Sequence, residues 1–265
     1  MKRIQICADD YAFDAGVSRA IIECIDTGRI SATSCMVLAP GWPAAAAALR
    51  ERSGIADIGL HLDVNEFADY SMGRSLQGWI AAAYLGQLDQ AQANRWVAEQ
   101  LDAFEAGMQR APDYLDGHQH VHQLPVLRDA VLGEMSRRYG SACALRSTRS
   151  QHWRGAKAAL IAGLGGAALR RAAGRQQLRM NADFAGVYDF DPGAVMAQLV
   201  AGWLRSLPDG GLLMAHPGAG DAVDRPDGIR AARWQERAFW LGSEAGELLA
   251  ECAVEAGRCA DWPAA

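Results

Sequence analysis

Long apolar runs are missing from this 265-residue sequence, and with them any stretch of the ~18 uncharged apolar residues needed to span a bilayer. Lys2 and Arg3 begin the chain like a secretory leader, but the apolar run that follows meets Asp9 and Asp10 within a few residues. That is too soon for a signal-peptide core, so a cytoplasmic protein is expected. Surplus positive charge is missing too. With 26 Lys and Arg against 31 Asp and Glu, the formal net charge is -5. Neither nucleic acid nor an anionic membrane is therefore expected as the main partner. Paired cysteines are the third absence. Cys7, Cys24, Cys35, Cys143, Cys252 and Cys259 lie scattered without a CxxC, and read as buried free thiols rather than a disulfide framework. Neither an internal repeat nor a low-complexity linker marks a domain boundary.

What is present is an alternation of strand and helix patterns. Residues 4–8 read as a short buried strand running into Asp9 and Asp10. A helix is predicted from about Ala15, with Val17, Ala20, Ile21, Cys24 and Ile25 on one face, Asp14 as N-cap and Gly28 at the C-terminal end. Residues 30–39 and 55–63 read as strands on either side of an alanine-rich helix over 43–51. Further strands are predicted at 114–116, 142–146, 187–190 and 212–215, with helices at about 88–108, 124–139, 192–206 and 244–256. This order is the signature of βαβ units and a parallel sheet. The expected fold class is α/β, a distorted (β/α) barrel forming a single domain over residues 1–265, with an open doubly wound sheet as the alternative. Either architecture binds ligands at the C-terminal ends of its strands. Asp9, Asp10, His61, Asp116, His118, Arg146 and His216 all fall at or just beyond such ends, so the fold should bring them together.

Only six histidines are present, and three crowd into Asp116-Gly117-His118-Gln119-His120-Val121-His122. On an extended segment His118, His120 and His122 would share one face. Imidazole and carboxylate together suit a divalent metal. Asp9-Asp10 after a buried strand is hard to explain structurally, because adjacent carboxylates repel. A metal offsets that repulsion, one carboxylate binding it while its neighbour faces the substrate. An Asx turn or helix cap is the alternative. His61 sits in Gly59-Leu60-His61-Leu62-Asp63, with Asp63 and Glu66 available to support the site or bind a sugar hydroxyl. His216 lies where a buried strand opens into Pro217-Gly218, a rigid position suited to a general acid. His152 reads as an exposed loop residue.

Ala8-Asp9-Asp10-Tyr11, the stretch from Gly28 through Ser34, Gly59-Leu60-His61-Leu62, the histidine-rich motif and Ala215-His216-Pro217-Gly218 together resemble the YdjC-like carbohydrate deacetylases. This group includes chitooligosaccharide and hopanoid-biosynthesis-associated deacetylases. The ordered motifs span residues 8 to 218. The resemblance implies a distorted (β/α) barrel that removes an acetyl group from an N-acetylated sugar. It implies Asp10, His61 and His118 as ligands of one divalent ion, magnesium or zinc, Asp9 as general base and His216 as general acid. Arg146 matches the arginine after the histidine-rich motif. His120, His122, Arg146 and Asp116 are expected around the substrate, His120 and His122 either binding it or orienting Asp9, and Asp116 fixing a histidine tautomer. Two departures stand out. Ala12 replaces the pattern's glycine, and Leu212-Leu213-Met214-Ala215 precede His216 where a glutamate is expected upstream.

Residues 153–175 combine small apolar residues with five cations, and read as a surface helix or lid. An interfacial helix touching a membrane surface is the alternative. A homodimer through an exposed sheet-end surface is compatible with the pattern. Two other functions compete with deacetylation: a metal-dependent phosphoesterase or amidohydrolase, and a non-catalytic carbohydrate-binding protein using some of the eight tryptophans.

Overall fold

Ile4, Ile6, Cys7 and Ala8 have no exposed surface, so the first strand is covered on both faces, as the centre of a parallel sheet requires. The computed structural model describes residues 1–71, 73–191, 193–219 and 226–265. Its strands are β1 (Lys2–Tyr11), β2 (Ala32–Cys35), β3 (Asp57–Leu62), β4 (Tyr114–Gly117), β5 (Ala144–Leu145), β6 (Phe184–Ala185), β7 (Gly211–Ala215) and β8 (Val254–Ala256). They pair in the order β5-β4-β3-β2-β1-β7-β6, every pair parallel, and β8 adds to the first residues of β1. The result is a half-barrel in a single α/β domain, the distorted (β/α) barrel expected.

At its open side the Asn181 side chain stitches the chain together. Its Oδ1 accepts from Ser147 N–H at 2.7 Å, and its Nδ2 donates to the Ser147 and Asp183 carbonyls at 2.9 Å each. The surrounding helices are α1 (Ala15–Asp26), α2 (Trp42–Arg50), α3 (Leu76–Tyr84), α4 (Gln90–Met108), α5 (Leu127–Arg138), α6 (Ala156–Ile161), α7 (Ala167–Arg175), α8 (Met196–Ser206), α9 (Arg230–Leu241) and α10 (Ser243–Glu251). In α1 the Asp14 carboxylate accepts from Val17 N–H at 2.6 Å, and Gly28 follows the helix at φ 73°, as its sequence foretells. No helix among the described residues is long and apolar enough to cross a membrane. All six cysteines are unpaired.

Several expected elements shift. The strand expected at 187–190 is β6 instead, three residues earlier. The chain leaves the sheet at Gly186, whose φ of 105° and tight contact with the Met214 carbonyl suit no side chain. The helix expected over 244–256 ends at Glu251, and the chain turns through left-handed Ala253 into β8. Helices α3 and α9 were not expected at all.

Candidate active site

Asp9 and Asp10 owe their positions to a bulge. Ala8 pairs with Thr33 and Tyr11 with Cys35, so the β1 strand spends three steps where β2 spends two. The extra residue turns the strand end and sends the two carboxylates in different directions. Asp10 at φ 69° and Ala12 at φ 75° carry the left-handed backbone that this requires. Such conformations cost of order 1–2 kcal/mol in residues with a Cβ and concentrate at functional sites.

Asp9 is gripped by an arginine. Arg146 Nη1 and Nη2 donate to its two oxygens at 2.6 Å each, a bidentate pair, and Ser34 Oγ adds a third donor at 3.0 Å. Burial opposes ionisation of Asp9, but the guanidinium outweighs it and holds the carboxyl well below its ordinary range. Arg146 also lies 2.6 Å from Asp116 Oδ2 and donates to Cys7 Sγ at 2.9 Å. Cys7, Asp9 and Asp116 thus cluster around a cation that is already present, the guanidinium itself.

Asp10 faces two histidines. Its Oδ1 lies 3.0 Å from His118 Nδ1 and 3.3 Å from His61 Nε2. The ligand atoms of Asp10, His61 and His118 all fall within 4.8 Å of one another. His61 Nδ1 lies 2.6 Å from Asp116 Oδ1, which fixes the tautomer that leaves Nε2 free toward Asp10. Burial would lower the pKa of His61, but Asp116 and the hydrogen bonds to Asp10 and Asp116 raise it to about 10. The carboxylates of the cluster therefore favour a positive charge at this position. This donor set fits a divalent cation in ligand type and in the carboxylate behind the imidazole.

Arg233 and Glu236 of α9 complete the arrangement, and sequence reasoning missed both. Arg233 Nη2 donates to Asp10 Oδ2 at 2.7 Å while its Nε donates to Asp227, so only one oxygen of Asp10 remains for an ion. Glu236 accepts from His216 N–H at 2.6 Å and from the Tyr188 hydroxyl at 2.8 Å. Burial raises its carboxyl to about 7, although both hydrogen bonds favour the charged form. As sequence, Arg233 and Glu236 three residues apart look like a solvated ion pair on a helix face. The signal that would have distinguished them is the inward face of α9, where Ala232, Phe239 and Trp240 are also buried.

The histidine-rich motif does not extend. His118–Gln123 form a tight 3₁₀ turn with Gln119 and His120 in left-handed conformation, so the three rings diverge instead of sharing a face. His118 points to Asp10, and His120 lines the cavity with its ring edge-on to Phe184. His122 is fully buried, 3.1 Å from the Arg146 carbonyl. Asp116 and Arg146, also expected around the substrate, are not among the residues that line the cavity. Like His122 they have no exposed surface and lie beneath the cavity floor. The cavity itself, about 570 Å³, has Asp9, Asp10, His61, His118, His120, His216 and Arg233 at its polar end. Leu76, Ile80, Leu124, Val187 and Phe190 form apolar walls, joined by Lys157, Leu160, Ile161 and Leu164 from the basic segment. Residues 157–164 of that segment thus form part of a cavity wall. His216 presents part of its ring to this space, yet burial lowers its pKa to about 4, and burial lowers that of His120 to about 3.

These features place the molecule among α/β half-barrels with a candidate metal centre at the strand ends. The chain belongs to the YdjC-like protein family, whose model matches residues 3–251. It is 28% identical over 152 residues to a carbohydrate deacetylase of Homo sapiens, covering 52% of this chain and 46% of that protein. It is 29% identical over 138 residues to a chitooligosaccharide deacetylase of Serratia marcescens, covering 49% and 54%. The chain spans about half the length of these curated relatives. A crystal structure from Enterococcus faecalis V583, provisionally described as a cellobiose-phosphate cleavage protein, superposes with a TM-score of 0.73 at 19% identity, covering 98% of each chain. That likeness establishes the fold alone.

Proposed function

We propose that this protein is a divalent-metal-dependent carbohydrate deacetylase acting on an N-acetylated sugar. The observation that carries the reading is the Asp10, His61 and His118 donor set beside Asp9 on a cavity floor, in a family with carbohydrate deacetylases among its matched relatives. Asp10, His61 and His118 would hold the ion. Two imidazoles to one carboxylate favour zinc over magnesium, which prefers oxygen ligands. When bound, such an ion polarises an acyl carbonyl and acidifies water.

The chain's own residues supply the rest. Asp9, kept ionised by Arg146, accepts a proton from the attacking water. The same bidentate grip fixes its oxygens, so little reorganisation accompanies the transfer. His216 is neutral at rest because of burial. Negative charge developing on the substrate raises its proton affinity, so it takes up a proton from solvent and passes it to the leaving nitrogen, while Asp9 afterwards releases the water's proton to solvent. Apolar side chains line the cavity beside the reacting end.

Acetate release from N-acetylglucosamine compounds of different length and aglycone tests the proposal, using metal-stripped protein with and without added zinc or magnesium. Release that needs the ion and falls at least ~100-fold in His118→Ala supports it. Metal binding without acetate from any compound would shift the assignment to another hydrolytic class.

A further inference from the structure

The amide of His216 lies one residue beyond the last paired residue of β7, so the sheet offers it no acceptor in the ladder. Glu236 supplies one from α9 at 2.6 Å, and with its other oxygen takes the Tyr188 hydroxyl at 2.8 Å. Tyr188 belongs to the segment that leaves the sheet at Gly186 and forms the cavity wall through Val187 and Phe190. The Phe190 ring stands edge-on to His216, with centroids 5.2 Å apart. Lys157 also holds this segment, donating to the Tyr188 carbonyl at 2.6 Å and lying 4.9 Å from the Phe190 ring centre. One buried carboxylate therefore touches both the backbone of His216 and the wall that packs against its ring.

We propose that Glu236 is a positioning residue that couples the placement of His216 to the wall over residues 187–190, so that the proton donor and the substrate's apolar boundary are set together. This rests on the proposed role of His216 in deacetylation. The coupling itself is a structural statement that can be read without any substrate. Glu236 touches neither the cavity nor the metal ligands, and acts only through His216 and Tyr188.

The test compares Glu236→Ala, Glu236→Gln and Tyr188→Phe in the full chain. Hydrogen exchange of the His216 amide and the ring resonances of His216 are the substrate-free readouts. In Glu236→Ala the amide should lose its protection and the ring should lose the shift imposed by Phe190. Glu236→Gln, whose carbonyl oxygen still accepts from the His216 amide, should restore both. Tyr188→Phe should move the ring resonance while leaving the amide protected. It also keeps the test decisive if the alanine variant fails to fold. An unmoved ring resonance in Tyr188→Phe, or retained amide protection in folded Glu236→Ala, would overturn the coupling. Where acetate release is measurable, Glu236→Ala should lower kcat by about 10- to 100-fold, and Tyr188→Phe should mainly raise KM. A purely structural role would lower thermal stability alike in all variants without this split. The spectroscopic result stands even if the substrate assignment fails.

Discussion

Ala12 shows how much a single backbone angle can carry. It is buried, sits at φ 75° just past the bulge that aims Asp9 and Asp10, and donates its N–H to Ser18 Oγ at 3.1 Å. Glycine would adopt this conformation without the Cβ clash that alanine bears. Ala12→Gly should therefore stabilise the fold by about 1 kcal/mol, after the greater freedom of glycine in the unfolded chain is subtracted. Urea unfolding reads this directly, and a loss of stability would show that the turn is unstrained. Asp116 acts at the same scale but through another residue. It pairs with His61 Nδ1 and with Arg146 at once. Asp116→Asn preserves the shape but removes the charge that orients His61, so divalent-ion affinity should fall roughly 10- to 100-fold. Chelator competition measures it, and unchanged affinity would remove Asp116 from the metal site's support.

Among the elements, the β6–β7 pair and α9 decide the cavity's shape. β6 is only two residues long, and the chain turns off it at Gly186 because a Cβ there would stand 2.2 Å from the Met214 carbonyl oxygen. Gly186→Ala meets both that clash and a φ of 105°, and should destabilise the protein by about 2–4 kcal/mol. Thermal unfolding would register this, whereas a wild-type melting temperature would mean that the wall can re-form elsewhere. α9 adds what no strand end provides: a cation on Asp10 and a carboxyl group that accepts from the His216 amide, three residues apart on one helix. The basic segment 153–175 is likewise defined by what it covers, since Leu160, Ile161 and Leu164 close one side of the cavity.

For the whole molecule, the buried charge of Glu236 sets a pH dependence of stability. Its ordinary value of 4.5 rises to about 7 in the fold, chiefly through burial. The folded protein therefore binds this proton more tightly than the unfolded chain does. The stabilisation is complete below about 4.5 and is lost as pH rises through about 7. Glu236→Gln cannot ionise, so the wild type should lose roughly 1–3 kcal/mol relative to this variant between pH 5 and pH 8. Urea unfolding of both proteins at the two pH values checks it. A constant gap would show that Glu236 stays charged throughout, held by Tyr188 and His216.

The sequence by itself determined the parallel α/β architecture, because strands buried on both faces leave apolar runs and helices between them leave their own period. It also placed Asp9, Asp10, His61, His118 and His216 at strand ends, since in such a sheet the end of each apolar run is the end of a strand. Tertiary structure decided which groups those residues meet. The fanning of His118, His120 and His122 depends on left-handed Gln119 and His120, a conformation imposed by packing and invisible in an alternating motif. Arg146 lies 137 residues from Asp9, and Arg233 lies 223 from Asp10. No local periodicity encodes ion pairs closed over such separations. They exist because burial leaves each carboxylate a choice between a partner and neutralisation, and only the folded chain supplies the partner.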